Sequence, residues 1–159
     1  MRIAILTISD AGARGERADS SGDAIVAWAA ARGADIVDRT LVPDESHRIV
    51  PVLLDWCDQD RVDLVLTTGG TGLGPRDITP EATRAVLERE APGIAERLRV
   101  TAMQSFPRAA LSRGLAGVRN RTLVVNLPGS PGGVRDALTA LDPIVDHAVA
   151  IVRSDPTDH

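Results

Sequence analysis

Residues able to do chemistry without a lysine, a histidine pair or a reactive thiol are concentrated in one stretch, Leu66-Thr67-Thr68-Gly69-Gly70-Thr71-Gly72-Leu73-Gly74-Pro75-Arg76-Asp77. Four glycines fall in six residues, directly after the apolar run VDLVL. Glycine permits positive φ, so successive N–H groups can turn into one concavity that suits an anion such as phosphate. The alternative is a tight strand-to-helix turn with no ligand. Asp77 favours the ligand: a carboxylate beside a phosphate is repulsive unless a divalent cation such as Mg2+ takes oxygens from both. Pro80 fits the first position of a following helix, which makes Thr79 the expected N-cap and leaves Asp77 upstream.

This loop matches neither familiar phosphate motif. Gly69 and Gly74 have the Walker spacing, but Pro75-Arg76 stand where Lys and Ser or Thr are needed. Gly70 and Gly72 begin a dinucleotide fingerprint, but Pro75 fills its third glycine position. All 18 basic residues are arginine, which also removes a Schiff base and a lysine general base. His47, His147 and His159 show no metal spacing, and Cys57 in VLLDWCD reads as a core helix position.

Two other segments have the same character. Ser9-Asp10 and Asp19-Ser20-Ser21-Gly22 could supply further ligands, or simply form a loop and a helix cap. Asn126-Leu127-Pro128-Gly129-Ser130-Pro131-Gly132-Gly133 offers Ser130 as N-cap and Pro131 as first helical residue. Glycines in that first turn cost a helix about 1 kcal/mol each relative to Ala, a cost explained by a ligand approaching the N–H groups or by a sterically forced turn. Asp44, after Pro43, reads on its own as a helix cap. Arg76 and Arg113 are candidates for offsetting charge.

The elements that must position these loops alternate. Strands are predicted over Arg2–Ile8, Asp35–Val42, Val62–Thr67 and Thr122–Leu127, with a short one near Leu115–Val118. Helices are predicted from Ser20 or Ser21 as cap to about Arg32, around Ile49–Trp56 with a kink or late start at Pro51, from Thr79 to Ala91, from Ile94 to Ser105, and from Pro131 to about Val152 with an interruption near Pro143. Such alternation predicts a single three-layer α/β domain over residues 1–153, with a mostly parallel central sheet covered by helices on both faces and a short tail at 154–159. Ligands of such sheets bind outside the carboxyl ends of the strands, where all three loops emerge.

The 159 residues, 43% hydrophobic and 25% charged, suit one globular core, which must be aliphatic because only 2% are aromatic. Few aromatics and a net charge of −4 argue against a nucleic-acid partner. No apolar run reaches membrane-spanning length, MRIAILTISD reads as a strand rather than a signal peptide, and a single cysteine fits a cytoplasmic protein.

Ser9-Asp10, Asp19-x-Ser21-Gly22, Pro43-Asp44, the run Thr67–Gly72, Asp77-x-Thr79-Pro80-Glu81-Ala82-Thr83, Leu111-Ser112-Arg113 and Asn126–Pro131 together resemble the MogA/MoaB family of molybdenum-cofactor biosynthesis, which includes the gephyrin G domain. The resemblance runs in order along nearly the whole chain. It implies a homotrimer that binds molybdopterin and transfers AMP from Mg-ATP to the pterin's terminal phosphate, releasing pyrophosphate. It places Asp77 as the essential, metal-binding aspartate and Asp44 as a second acid. Gly69, Gly70, Thr71 and Gly72 would hold phosphate. Ser9, Asp10, Ser21, Gly22, Thr68, Ser112, Pro128, Gly129 and Ser130 would complete the pterin and nucleotide pockets. A downstream molybdate-inserting protein is the implied partner. The competing expectation is a MoaB-type binding or scaffold protein that holds the pterin without adenylating it.

Overall fold

A computed structural model describes residues 1–154; the tail expected at 154–159 lies outside them from residue 155 on. The element order is β1 (Arg2–Ile8), α1 (Asp10–Ala13), α2 (Ser20–Ala31), β2 (Asp35–Val42), α3 (Ser46–Asp58), β3 (Leu64–Thr68), α4 (Thr79–Val86), β4 (Arg89–Glu90), α5 (Pro92–Met103), a 3-10 turn (Pro107–Leu111), β5 (Ala116–Arg119), β6 (Thr122–Leu127) and α6 (Pro131–Arg153). The strands form one sheet in the order β2-β1-β3-β6-β5-β4. The first four of these are mutually parallel, and β5 and β4 add an antiparallel margin. The expected mostly parallel, doubly covered sheet is what forms.

Strand alternation builds the two cores. Ile3 and Ile5 of β1, with Leu64 and Leu66 of β3, pack with Ile25 of α2 and Leu138 and Leu141 of α6. Ala4, Leu6 and Ile8, with Val65, face the other way onto Ile49 and Leu53 of α3 and Val86 of α4. These side chains are fully or almost fully withdrawn from solvent. Truncating one of the leucines to Ala would cost about 2–5 kcal/mol. Cys57 is buried in the second core, where burial pushes its thiol up to about 12; it is a packing residue, as its apolar run implied.

Four local expectations are corrected. The cap of α2 is Asp19, whose carboxylate accepts from Gly22 N–H, rather than Ser20 or Ser21. The cap of α4 is Ile78, without a side-chain bond, because the Thr79 hydroxyl is turned into the protein, where it is buried without a partner among the described residues. Helix α4 ends at Val86 instead of Ala91, since Arg89–Glu90 pair with β5. Helix α3 already begins at Ser46, so it has no late start at Pro51, and α6 runs through Pro143 without interruption, each carried by its buried apolar face.

Candidate functional site

The sheet aligns the three suspected loops. Thr7 of β1 pairs with Thr68 of β3, and Thr68 pairs with Leu127 of β6, so all three strands end at one level. The chain leaves β1 over one face through α2 and reaches β3 over the other through α3. The crevice at this change of direction is where α/β sheets bind ligands.

Buried polar groups fix the strand ends. Asn126 donates to the hydroxyls of Thr67 (2.8 Å) and Thr83 (3.0 Å) and accepts from Leu115 N–H (3.0 Å). The Thr68 hydroxyl donates to Pro128 O at 2.6 Å, and the Ser21 hydroxyl donates to Gly129 O at 2.7 Å. Thus β3 and α2 together hold the β6–α6 turn. In the first loop, Ser9 caps the short α1 by accepting from Gly12 N–H, and Asp19 also accepts from the Thr7 hydroxyl. The segment between Ser9 and Asp19 therefore contains one helical turn.

The glycine run has an internal reason for being bare. Gly69 and Gly70 have φ of +98° and +64°. A Cβ on Gly69 would collide with the carbonyl oxygen of Ile8. One on Gly70 would collide with the Thr79 hydroxyl and stand 2.8 Å from Asp44 Oδ1. Packing alone therefore demands glycine at both positions, and the turn it enforces brings the β1, β3 and α4 termini together. Asp77 closes the far end of the run by accepting from Gly74 N–H at 2.8 Å.

Arg113 clamps the same loop. Its guanidinium donates to Gly72 O (2.7 Å) and Asp77 O (2.6 Å) and pairs with Glu81, while its N–H donates to Thr71 O (2.8 Å). Sequence alone suggested a charge-offsetting group here; the structure makes it a brace. Arg76 is engaged as well, through a two-pronged pair with Asp10 in which both contacts are 3.0 Å. That guanidinium holds the Asp10 carboxyl below its ordinary range. Asp44 is not the cap of α3, a place taken by Glu45. Its carboxylate accepts instead from Asp10 N–H at 2.9 Å. Burial pushes the Asp44 carboxyl up, and the neighbouring charges of Asp10 and Asp77 add to that.

Two cavities open on these loops. The larger, about 680 Å³, lies between the glycine run, α5 with its following 3-10 turn, and the start of α6. Gly70, Thr71, Gly72, Asp77 and Ser112 line it on one side, Pro128, Gly129 and Ser130 on the other. Leu98, Ala102, Phe106 and Leu111 give it an apolar wall. The smaller, about 510 Å³, lies between the first loop and the β6–α6 turn, with Ser9, Ser21, Asp44, Thr68 and Gly69 in its wall. Gly70, Asp77, Gly129 and Ser130 belong to both walls. Asp10 and Gly22 stand behind the lining: Asp10 supports Asp44, and Gly22 receives the α2 cap. Phe106 and the arginines 17, 99 and 108, which also line the cavities, were not singled out from sequence, where an isolated arginine or phenylalanine in a polar segment carries no pattern.

Two adjoining cavities with a carboxylate at their junction suit a reaction between two bound molecules, one with a flat apolar part and one polar. Among the described residues no group of three or more His, Cys, Asp or Glu is placed to hold a metal ion unaided. A magnesium ion that keeps waters and phosphate oxygens needs only one or two protein carboxylates, and Asp77 and Asp44, which both line the smaller cavity, fit that demand.

The chain is similar to known proteins along most of its length. The chain is 39% identical over 154 residues to molybdopterin adenylyltransferase of Helicobacter pylori strain J99, covering 96% of this chain and 88% of that one. It is 38% identical to the Escherichia coli K12 protein of the same name, over 87% of this chain and 72% of that one. The crystal structure of the molybdopterin biosynthesis enzyme MoaB from Thermus thermophilus superposes with a TM-score of 0.92, at 52% identity, covering 98% of each chain. The family model described as "probable molybdopterin binding domain" matches residues 4–147, and the chain belongs to that family.

Proposed function

We propose that this chain is a molybdopterin adenylyltransferase, a nucleotidyltransferase of molybdenum-cofactor biosynthesis that moves AMP from ATP onto the terminal phosphate of molybdopterin. The observation that carries this reading is the meeting of two cavities at Asp77, Gly70, Gly129 and Ser130. The apolar wall of the larger cavity suits the pterin, and the smaller cavity suits the nucleotide.

A terminal phosphate oxygen of the pterin forms a bond to the α-phosphorus of ATP. The bond from that phosphorus to the α,β-bridging oxygen breaks, and its electron pair leaves on pyrophosphate. The attacking oxygen is already anionic near neutral pH, so no protein base is required. The absence of lysine, and of a placed histidine among the described residues, is then no obstacle, and positioning carries the catalysis. Magnesium enters with ATP as part of the substrate and offsets phosphate charge. Asp77 and Asp44 would hold that cation, and amides not taken by internal bonds among the described residues, those of Gly70, Gly72 and Gly132, would face phosphate oxygens. Ser112 borders the pterin side and Thr68 the nucleotide side.

Likeness to the family extends the reading to a cytoplasmic homotrimer that passes its product to a molybdate-inserting protein. The test is pyrophosphate release from Mg-ATP with and without molybdopterin. Release that depends on the pterin supports the enzyme; tight pterin binding with no release supports the binding-only alternative.

A further inference from the structure

Arginines near the two cavities are almost all committed. Arg76 is fixed on Asp10, Arg39 on Asp19 and Asp23, and Arg14 on Glu16. In the larger cavity, Arg99 donates to Gly114 O at 2.8 Å, and Arg108 lies over the Phe106 ring at 5.0 Å. Arg17 is different. It lines the smaller cavity, it is exposed, and among the described residues no carboxylate or carbonyl takes its guanidinium.

The charge balance of that cavity calls for a cation there. Asp44 and Asp77 bring negative charge to the side facing the larger cavity, and Asp19 is already matched by Arg39. A nucleotide triphosphate adds several more negative charges, and the chain has no lysine to meet them. A magnesium ion beside Asp77 and Asp44 offsets one end of the polyphosphate and leaves the other unmatched.

We propose that Arg17 is a substrate-binding residue for the β- and γ-phosphates of the nucleotide and for the pyrophosphate formed from them. This rests on the adenylyl-transfer reading for its substrate. The α-phosphorus must lie at the shared wall, where the pterin phosphate can reach it. Arg17 belongs to the smaller cavity alone, so it meets the phosphates beyond that point. The backbone delivers it there from two anchors: Glu16 N–H bonds to Ala11 O at 2.9 Å, and Asp19 is held by Thr7 and Gly22. Between those anchors the guanidinium is free to swing onto phosphate, which it matches with two parallel N–H donors. As the α-phosphorus bond breaks, negative charge grows on the leaving pyrophosphate, where Arg17 stabilises it.

The experiment compares wild type, Arg17→Ala and Arg17→Lys by calorimetric titration with three magnesium-loaded probes: a non-hydrolysable ATP analogue, pyrophosphate and AMP. Arg17→Ala should weaken the analogue and pyrophosphate by about tenfold and leave AMP within about twofold. Arg17→Lys should recover part of the loss. AMP binding also reports that each variant is folded. Equal affinity of wild type and Arg17→Ala for pyrophosphate, or a loss as large for AMP as for the analogue, overturns the proposal, as does a wild type that binds neither the analogue nor pyrophosphate. A wild type that shows the Arg17-dependent binding yet releases no pyrophosphate with molybdopterin upholds Arg17 and overturns adenylyl transfer instead.

Discussion

Asp10 and Asp44 hold one another by crossed hydrogen bonds: Asp10 N–H donates to Asp44 Oδ2 at 2.9 Å, and Asp44 N–H donates to Asp10 Oδ1 at 3.0 Å. The loops after β1 and β2 are thereby locked together, and Arg76 ties the glycine run to the same pair. Asp44 is thus fixed by backbone and loop rather than by a helix cap, at the edge of the cavity it shares with Asp77.

The crossed pair makes a pH prediction. Burial raises the Asp44 carboxyl, and the charge of Asp10 raises it further, while the Asp10 N–H bond opposes both. If ionised Asp44 holds the cation, activity is lost as pH falls through a value above the ordinary carboxylate range. Asp10→Asn deletes the like charge but keeps the backbone N–H. The acid limb of kcat/KM should therefore move to lower pH. A profile whose acid limb stays put or moves upward would contradict this role for Asp44.

Asp77→Asn should lower kcat by about a hundredfold or more and change molybdopterin affinity little. The amide oxygen can still accept from Gly74 N–H, so the loop keeps its closure while a cation ligand is lost. Steady-state pyrophosphate release and a separate pterin titration measure the two quantities. A variant with near-normal turnover at limiting magnesium, or one that no longer binds the pterin, would remove Asp77 from the role assigned to it.

Arg113→Ala should loosen the run Thr71–Asp77. The substitution frees the carbonyls of Gly72 and Asp77 and breaks the Glu81 pair, while the backbone bond to Thr71 O survives. The expected result is a fall in kcat of about tenfold or more, because placement of Asp77 degrades. Amide hydrogen exchange should quicken in the glycine run while core strands β1 and β6 stay protected. Unchanged exchange at residues 71–77 would show that the clamp is dispensable.

At the opposite end of the sheet, Asp63 predicts acid sensitivity of the fold. Its carboxylate accepts from Arg2 N–H at 2.7 Å and from the Arg2 guanidinium at 2.8 Å, and it lies 3.0 Å from Arg153 at the end of α6. Burial works against its ionised form, but these bonds outweigh it and leave the carboxyl below its ordinary value. A carboxyl depressed on folding stabilises above its unfolded pKa, about 3.9, and loses that contribution as pH falls through its folded value. Urea midpoints should therefore drop more steeply below about pH 4 in the wild type than in Asp63→Asn. At neutral pH, Asp63→Asn should cost about 1–3 kcal/mol. Parallel pH dependence in both proteins would rule the contribution out.

What could be read from sequence was whatever periodicity and turn chemistry express locally. The bounds of β1, β2 and β6 and the Ser130-Pro131 start of α6 are where the apolar runs and the cap residues put them. The meeting of the three loops followed from strand alternation. Long-range facts were not legible. Thr79 has the residue type of a cap, but its hydroxyl is buried over Gly70. Strand β4 has two exposed residues and exists only because β5 lies beside it. Asp10 is legible as a candidate ligand, but its support of Asp44, 34 residues away, is not. Proline at 51 and 143 was outweighed by helix faces buried along their length.

The adjacent glycines at the start of α6 separate a steric need from a ligand's need. A Cβ on Gly133 would stand 2.9 Å from Ser130 Oγ and 3.0 Å from Pro128 Cβ, so packing of the turn requires glycine there. A Cβ on Gly132 would meet nothing within 4 Å, yet Gly132 lines the larger cavity. With no internal reason for glycine, Gly132→Ala should stabilise the fold by up to about 1 kcal/mol, since Ala is the better helix former. If a phosphate approaches the α6 N-terminal amides, the added methyl group stands in its way, and molybdopterin affinity should fall several-fold in the same protein. Gly133→Ala should destabilise by about 1–3 kcal/mol, the cost of overpacking. Urea unfolding and pterin titration of both variants separate the cases. Were Gly132→Ala more stable and equally tight for pterin, the α6 amides would be no part of the binding site.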